Sequence, residues 1–198
     1  MFVYEKKLQY PIRIKNTNPK LAAAIMSQSG GPDGELGASL RYLSQRYSMP
    51  YPELKGLLTD IGTEELGHLE MVGTIVHQLT RNLTEQQIKD AGFEAYFVDH
   101  TTGVFPQFAS GYPWSAATMQ VTGDTIADLT EDLAAEQKAR VTYDNILRLS
   151  DDPDVTDAIR FLRAREIVHF QRFGEGLRLV KDRLGEKNVY YMNPSFDQ

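Results

Sequence analysis

Two copies of one short motif, a glutamate followed three residues later by a histidine, constrain this sequence more than any other feature. They occupy residues 65–68 and 166–169, and another glutamate lies 30 residues upstream of each copy, at Glu35 and Glu136. Two side chains three positions apart on a helix project from the same face, about one turn from each other. Each motif can therefore direct a carboxylate and an imidazole at one metal ion.

The spacing of the two copies indicates a repeated pair of helices. One offset of 101 residues relates the two motifs, the two upstream glutamates, and Tyr42 to Tyr143. Two helix pairs that each supply a glutamate and a Glu-x-x-His motif are typical of the dinuclear metal site of a ferritin-like bundle. We therefore predict an all-α fold: a ferritin-like four-helix bundle with a long crossover between helices two and three, an extended N-terminal arm and a C-terminal tail.

Six side chains would converge inside such a bundle, and their charges require a partner. They are Glu35, Glu65, His68, Glu136, Glu166 and His169. Buried carboxylates repel one another and lose their hydration, so four of them together are costly unless cations neutralise them. Two divalent ions balance four carboxylates, and a nitrogen and oxygen donor set without sulfur suits manganese or iron.

Periodic apolar residues and helix-start signals predict four long helices. Their expected ranges are 34–48, 52–81, 125–150 and 153–184. Asp33 and Asp124 are the expected N-caps of the first and third helices, and Pro153 the first residue of the fourth.

A chain of 198 residues has enough material for one domain, expected over residues 1–198. Its expected parts are an arm (1–19), a first helix pair (34–81), a crossover (82–123), a second helix pair (124–184) and a tail (185–198). The crossover is long because it has to join two antiparallel hairpins.

Composition excludes several kinds of partner. The net charge of −6 argues against a general nucleic-acid or anionic-membrane surface, and no apolar run approaches the ~20 residues of a membrane span. The first residues lack the apolar segment of a secretory signal, so an intracellular protein is expected.

Several residues near the motifs allow more than one interpretation. Tyr42 and Tyr143 are either core aromatics or hydroxyl groups bonded to a ligand carboxylate. His77 and His100 are expected on the surface or in packing contacts. Glu64, Glu65 and Glu70 cluster around the first motif, and by itself such an acidic cluster favours a solvated helix face.

The residues around the motifs resemble those of the manganese catalase family. The matching runs are 31–36, 58–71, 135–140 and 165–169, so the likeness covers nearly the whole chain. With residues 4–11 and the short C-terminus, the sequence is most similar to the small spore-coat-associated members of that family.

This resemblance implies an enzyme that disproportionates hydrogen peroxide to water and dioxygen with two manganese ions per subunit. The implied metal ligands are Glu35, Glu65, His68, Glu136 and His169. Glu166 is implied to stand just outside the ligand set as the catalytic proton acceptor and donor, and we assign Tyr42 to catalysis with it. Some relatives carry a basic residue near the outer glutamate, whereas this chain has Ala135 and Tyr143 at the corresponding positions.

The resemblance also implies a homo-oligomer, expected to be a hexamer, in the cytoplasm or the spore coat, with other spore-coat proteins as partners. Two alternatives remain open from the sequence. The same ligand set serves di-iron oxidases and iron-handling proteins, and a spore-coat structural protein with weak catalase activity would share the same residues.

Overall fold

The computed structural model describes residues 5–184, and helices dominate this part of the chain. The helices are α1 (Pro19–Gly30), α2 (Glu35–Gln45), α3 (Pro52–Thr80), α4 (Glu85–Ala91), α5 (Glu94–His100), α6 (Thr125–Leu149) and α7 (Pro153–Leu184), with a 3₁₀ turn at Ala116–Thr118. Residues 5–184 contain no strand, only an isolated bridge between Gln107 and Pro113. No helix in this range is long and apolar enough to cross a membrane.

Four of these helices form the bundle, which confirms the predicted ferritin-like fold. Helix α2 packs on α3 and α6 packs on α7, and the two pairs meet through α3 with α7 and α2 with α6. The chain between α3 and α6 is the expected long crossover. The division of residues 1–198 into a single domain with named parts stays a prediction, and the tail, residues 185–198, lies outside the described residues.

The first bundle helix is divided into two. Helix α1 packs on α3 and α6, and α2, which follows it, also packs on α3. The break falls at Gly31, which caps α1 in an extended conformation, and at Pro32, whose ring cannot continue the helix.

Helix ends follow local chemistry, with one correction. The Ala127 amide donates to Asp124 Oδ1 at 2.8 Å, and Pro153 opens α7, both as predicted. The prediction for Asp33 was wrong: Gly34 is the N-cap of α2 and makes no side-chain cap bond. Asp33 lies in the turn before α2 and instead pairs with Lys138 of α6 at 2.9 Å, so this ion pair engages the carboxylate that a cap would need.

The arm lies against its own chain in the described range. Residues 5–18 contain no helix, and Ile12 and Ile14 are buried in the core. The Ile14 amide donates to Gln78 Oε1 at 2.7 Å, and Gln78 Nε2 donates to the Ile12 carbonyl at 3.1 Å. The Gln78 side chain therefore bonds to the backbone of the arm much as a neighbouring strand would, and it fixes the arm against α3.

Two apolar clusters fill the ends of the bundle. One contains Met71 to Leu79 of α3 with residues of α1, α6 and α7. The other contains Leu54, Leu58 and Ile61 of α3 with residues of α2, α6 and α7. Between these clusters α3, α6 and α7 each carry polar side chains inward, so the bundle has a buried polar layer at its middle.

The contact between α1 and the crossover has no room for a side chain. A Cβ atom on Gly30 would lie 2.1 Å from the Pro106 carbonyl carbon and 2.2 Å from the Gln107 nitrogen. We expect Gly30→Ala to lower the free energy of unfolding by about 1–3 kcal/mol, because the crossover backbone must move away from α1. Gly56→Ala is the matched control, since its Cβ meets nothing within 4 Å, and it should raise stability by about 0.5–1 kcal/mol. Urea denaturation measures both, and equal effects of the two changes would contradict the packing argument.

Candidate metal centre

The polar layer contains all six of the candidate ligands named from the sequence. They are Glu35 of α2, Glu65 and His68 of α3, Glu136 of α6, and Glu166 and His169 of α7, and each is at most 2% exposed. Three helical positions separate the glutamate from the histidine in both motifs, so each pair projects from one face into the layer. The structure therefore brings together every side chain that the spacing selected.

Glu65 occupies the centre of this group. The His68 Nδ1 atom lies 2.5 Å from Glu65 Oε2, and the His169 Nδ1 atom lies 2.7 Å from Glu65 Oε1. The two imidazole rings face each other with centroids 5.5 Å apart and an angle of 24° between their planes. One carboxylate thus lies between two inward-facing ring nitrogens.

The other carboxylates flank this centre. Glu35 Oε2 is 3.9 Å from His68 Nδ1, and Glu136 Oε2 is 3.6 Å from His169 Nδ1. Ligand atoms of Glu65, His68, Glu166 and His169 all lie within 4.8 Å of one another. Each histidine therefore has a carboxylate of its own, the two share Glu65, and Glu166 reaches the same group.

Some polar atoms in the layer lack a hydrogen-bond partner among the described residues. They are Glu136 Oε2 and Glu166 Oε1, whereas Glu65 Oε1 and His169 Nδ1 have only each other, at 2.7 Å. A buried polar atom without a partner is costly, and a bound cation would supply that partner. Carboxylate and imidazole donors without sulfur fit divalent manganese or iron, so the residues present suit a dinuclear centre.

In the metal-free protein, protons bound to the carboxyl groups and histidines neutralise part of the negative charge of the polar layer. Burial raises the pKa of Glu35 and of Glu166 well above the usual range, and neighbouring carboxylates raise both further. Burial by itself would lower the pKa of the histidines, but Glu65 and the carboxylates around it raise His68 to about 10 and His169 to about 12. Metal ions entering the layer must therefore displace several protons.

Both tyrosine interpretations hold at once. Tyr42 and Tyr143 are fully buried in the core. Tyr42 of α2 donates its hydroxyl to Glu136 of α6 at 2.5 Å, and Tyr143 of α6 donates its hydroxyl to Glu35 of α2. Each hydroxyl thus holds the carboxylate of the other helix pair. A catalytic role for Tyr42 stays a prediction.

The remaining histidines lie away from the layer. His77 is exposed on α3, and His100 stacks on Phe105 with ring centroids 4.1 Å apart. Neither faces the candidate ligands.

The sequence analysis missed three polar residues near the layer. Glu64, considered only as one of three clustered acids, lies beside the Nε2 atoms of both histidines. Asp132 and Arg41 are buried, and both Asp132 oxygens lack a partner among the described residues. The helical spacing of Asp132, four residues before Glu136, was an available signal, as was the 101-residue offset that relates Glu64 to Arg165.

Comparison with known proteins gives consistent results over nearly the whole chain. A family model described as manganese containing catalase matches residues 1–192. The chain is 50% identical over 190 residues to Protein CotJC of Bacillus subtilis (strain 168), covering 96% of this chain and 100% of that protein. It is 37% identical over 191 residues to a probable manganese catalase of Clostridium acetobutylicum, covering 95% and 84% of the two chains.

A solved structure matches the fold as well. The crystal structure of wild type KatB, a manganese catalase from Anabaena, superposes with a TM-score of 0.85 at 33% sequence identity, covering 91% of this chain and 81% of that one. The similarity therefore extends through the bundle helices that carry the polar layer.

The raised pKa values predict how the stability of the metal-free protein depends on pH. Above the ordinary histidine pKa of about 6.5 the folded protein holds more protons than the unfolded chain. We expect the free energy of unfolding of chelator-treated protein to fall as pH rises from about 6.5 towards the folded-state pKa of His68, about 10. Stabilisation by added Mn²⁺ should grow over the same interval, because the ions compete with those protons.

Thermal unfolding with and without Mn²⁺ between pH 6.5 and 9 measures this effect. His68→Gln should flatten the dependence, whereas His77→Gln, which changes an exposed histidine of the same helix, should leave it unchanged. A metal-free stability that rises with pH would contradict the charge assignment.

Proposed function

The chain belongs to the manganese-containing catalase family, and on that premise we propose that it disproportionates hydrogen peroxide to water and dioxygen at a dimanganese centre in the polar layer. The observation that carries the proposal is the set of buried carboxylate and imidazole ligand atoms that converge within 4.8 Å of one another in this layer. Two molecules of hydrogen peroxide give two of water and one of dioxygen. When bound, a manganese pair supplies the two-electron redox change that each half of this reaction needs.

The proposed ligands divide into two positions around a shared carboxylate. Glu65 would contribute to both, His68 and Glu35 would complete one position, and His169 with Glu136 would complete the other. The distances of Glu65 to both histidines support this division. The tyrosine hydroxyls hold Glu136 and Glu35 from outside, which leaves their remaining oxygens directed at the layer.

Glu166 is proposed to move protons during turnover. In the metal-free protein, burial first and the neighbouring carboxylates second raise the pKa of Glu166, so its buried position favours the protonated carboxyl group. A group of that kind can donate to a leaving oxygen and accept from an entering peroxide. Tyr42 is proposed to assist by fixing Glu136, the nearby carboxylate that the Tyr42 hydroxyl contacts.

We further propose a homo-oligomer, a hexamer by family resemblance, associated with the spore coat or located in the cytoplasm. The identity of half the aligned residues with CotJC supports the coat association. Exposed apolar side chains on α3 and α7, including Leu66, Ile167 and Phe170, support an interface between copies. Other coat proteins are the proposed further partners.

The test of the function is oxygen evolution by manganese-loaded protein. We expect about two manganese ions per chain and dioxygen release from hydrogen peroxide that resists cyanide and azide. Glu65→Ala should abolish both metal binding and activity, because this carboxylate serves both positions. A manganese-loaded wild type that releases no dioxygen would rule out the proposed activity.

The role of Glu166 has a separate test. Glu166→Gln should keep its manganese but lower kcat by roughly 10²–10⁴-fold, the usual contribution of general acid–base catalysis. Glu175→Gln, an exposed glutamate on the same helix, serves as the control and should behave as the wild type. Loss of manganese from Glu166→Gln, measured by elemental analysis, would make this residue a ligand and overturn the proton-transfer role.

A further inference from the structure

We propose that Glu64 is a positioning residue for both metal-binding histidines, orienting them through their outer ring nitrogens. The inference rests on the dimetal site of the proposed function. Glu64 immediately precedes Glu65 on α3, and its side chain is only half-buried at the edge of the polar layer.

The two imidazole rings have the same orientation: in both, Nδ1 faces into the polar layer and Nε2 faces its outer edge. Their Nδ1 atoms face Glu65, at 2.5 Å for His68 and 2.7 Å for His169. Their Nε2 atoms face Glu64, at 3.0 Å from Oε2 for His169 and 3.6 Å from Oε1 for His68. Two consecutive carboxylates of one helix therefore lie at opposite edges of the same two rings.

The outer nitrogen of His68 gives the second observation. His68 is fully buried, and its Nε2 atom has no hydrogen-bond partner among the described residues. The distance of 3.6 Å to Glu64 Oε1 is too long for a hydrogen bond, yet this oxygen is an acceptor aimed at the buried donor. Distances of this kind often shorten when a functional complex forms.

Glu64 is itself held rigidly. Arg165 of α7 donates through Nε to Oε1 at 2.8 Å and through Nη2 to Oε2 at 3.2 Å, and Gln9 of the arm donates to Oε1 at 2.7 Å. A bidentate guanidinium pair fixes the plane of the carboxylate as well as its position. Each Glu64 oxygen is thereby directed at one histidine.

The repeat explains why an acid and a base meet at this point. Arg165 lies 101 residues after Glu64, so the two occupy equivalent positions before the two motif glutamates. Two glutamates here would repel each other across the pseudo-twofold relation. An acid in one copy and an arginine in the other form a pair instead, and the acid then serves the histidines of both copies.

The contact of Glu64 with the two Nε2 atoms should affect metal binding, because a histidine ligand depends on its tautomer. An imidazole that binds a metal through Nδ1 must carry its proton on Nε2, and an acceptor at Nε2 fixes that tautomer and the ring orientation. Removal of such a partner usually lowers metal affinity by about 10–100-fold. Because one carboxylate serves both rings, both metal positions should weaken together.

An ordinary ion pair between α3 and α7 is the competing explanation, and the structure offers matched controls. Glu53 pairs with Arg183 at 2.6 Å, and Asp60 pairs with Arg172 at 2.6 Å, both between the same two helices. Within residues 5–184, no hydrogen bond or ion pair joins Glu53 or Asp60 to a histidine. Glu53→Gln therefore removes a comparable bidentate pair without touching the layer.

The experiment measures metal binding rather than turnover. Chelator competition for Mn²⁺ and for Zn²⁺ should show about a 10–100-fold loss of affinity at both positions in Glu64→Gln, and unchanged affinity in Glu53→Gln. In ¹⁵N-histidine spectra of the diamagnetic zinc form, the wild type should show His68 and His169 protonated at Nε2. Glu64→Ala should shift both Nε2 signals, a change that loss of an ion pair elsewhere would not produce.

Each outcome decides the proposal. Equal metal affinities for Glu64→Gln and Glu53→Gln, or a wild type with its histidines bound through Nε2, would overturn it. If the Glu64 variants do not fold, Arg165→Gln replaces them: it keeps the acceptor but releases it, and should weaken both positions while Arg183→Gln does not. A wild type that binds two metals but lacks catalase activity would defeat the proposed function and leave this test valid; one that binds no metal would defeat both.

Discussion

Glu65 lies between the Nδ1 atoms of His68 and His169, at 2.5 and 2.7 Å from its two oxygens. This arrangement is stable only when its charge is balanced, because every participating group is excluded from water. In the metal-free protein the balance comes from protons on imidazoles and carboxyl groups, and in the loaded protein from cations. The two apolar clusters at the ends of the bundle separate the layer from solvent. The stability of the fold and its affinity for metal ions therefore both depend on how the buried charge around Glu65 is balanced.

Much of the bundle could be predicted because local signals and the fold agree. Helix α3 follows its apolar rhythm from Pro52 to Thr80, and Asp124 and Pro153 act at helix starts as their chemistry dictates. The ligand positions were accessible because helical geometry turns a three-residue spacing into a shared face. The 101-residue offset then related the two halves without any knowledge of their packing. The family resemblance added the metal and the reaction.

The rest depends on contacts that one helix cannot specify. Glu64 looks like a surface glutamate in its own helix, and only the docking of α7 brings Arg165 and His169 to it. The Asp33 prediction failed for the same reason, since Lys138 lies on a helix more than 100 residues away. The division of the first bundle helix into α1 and α2, and the backbone contact of Gly30 with the crossover, are likewise set by tertiary packing. Sequence spacing was enough to identify the candidate metal ligands, whereas the residues that support those ligands are set by tertiary packing.

Each of the two tyrosine hydroxyls bonds to a glutamate of the other helix pair, and this affects the order in which the metal site can form during folding. Tyr42 holds Glu136 and Tyr143 holds Glu35, so each helix pair carries the support for a carboxylate of the other pair. Glu65 likewise meets His169 only across the interface between α3 and α7. A newly made N-terminal hairpin thus has neither a complete coordination sphere nor the hydroxyl that would orient it. The dinuclear site is therefore complete only after the crossover has brought the second hairpin against the first.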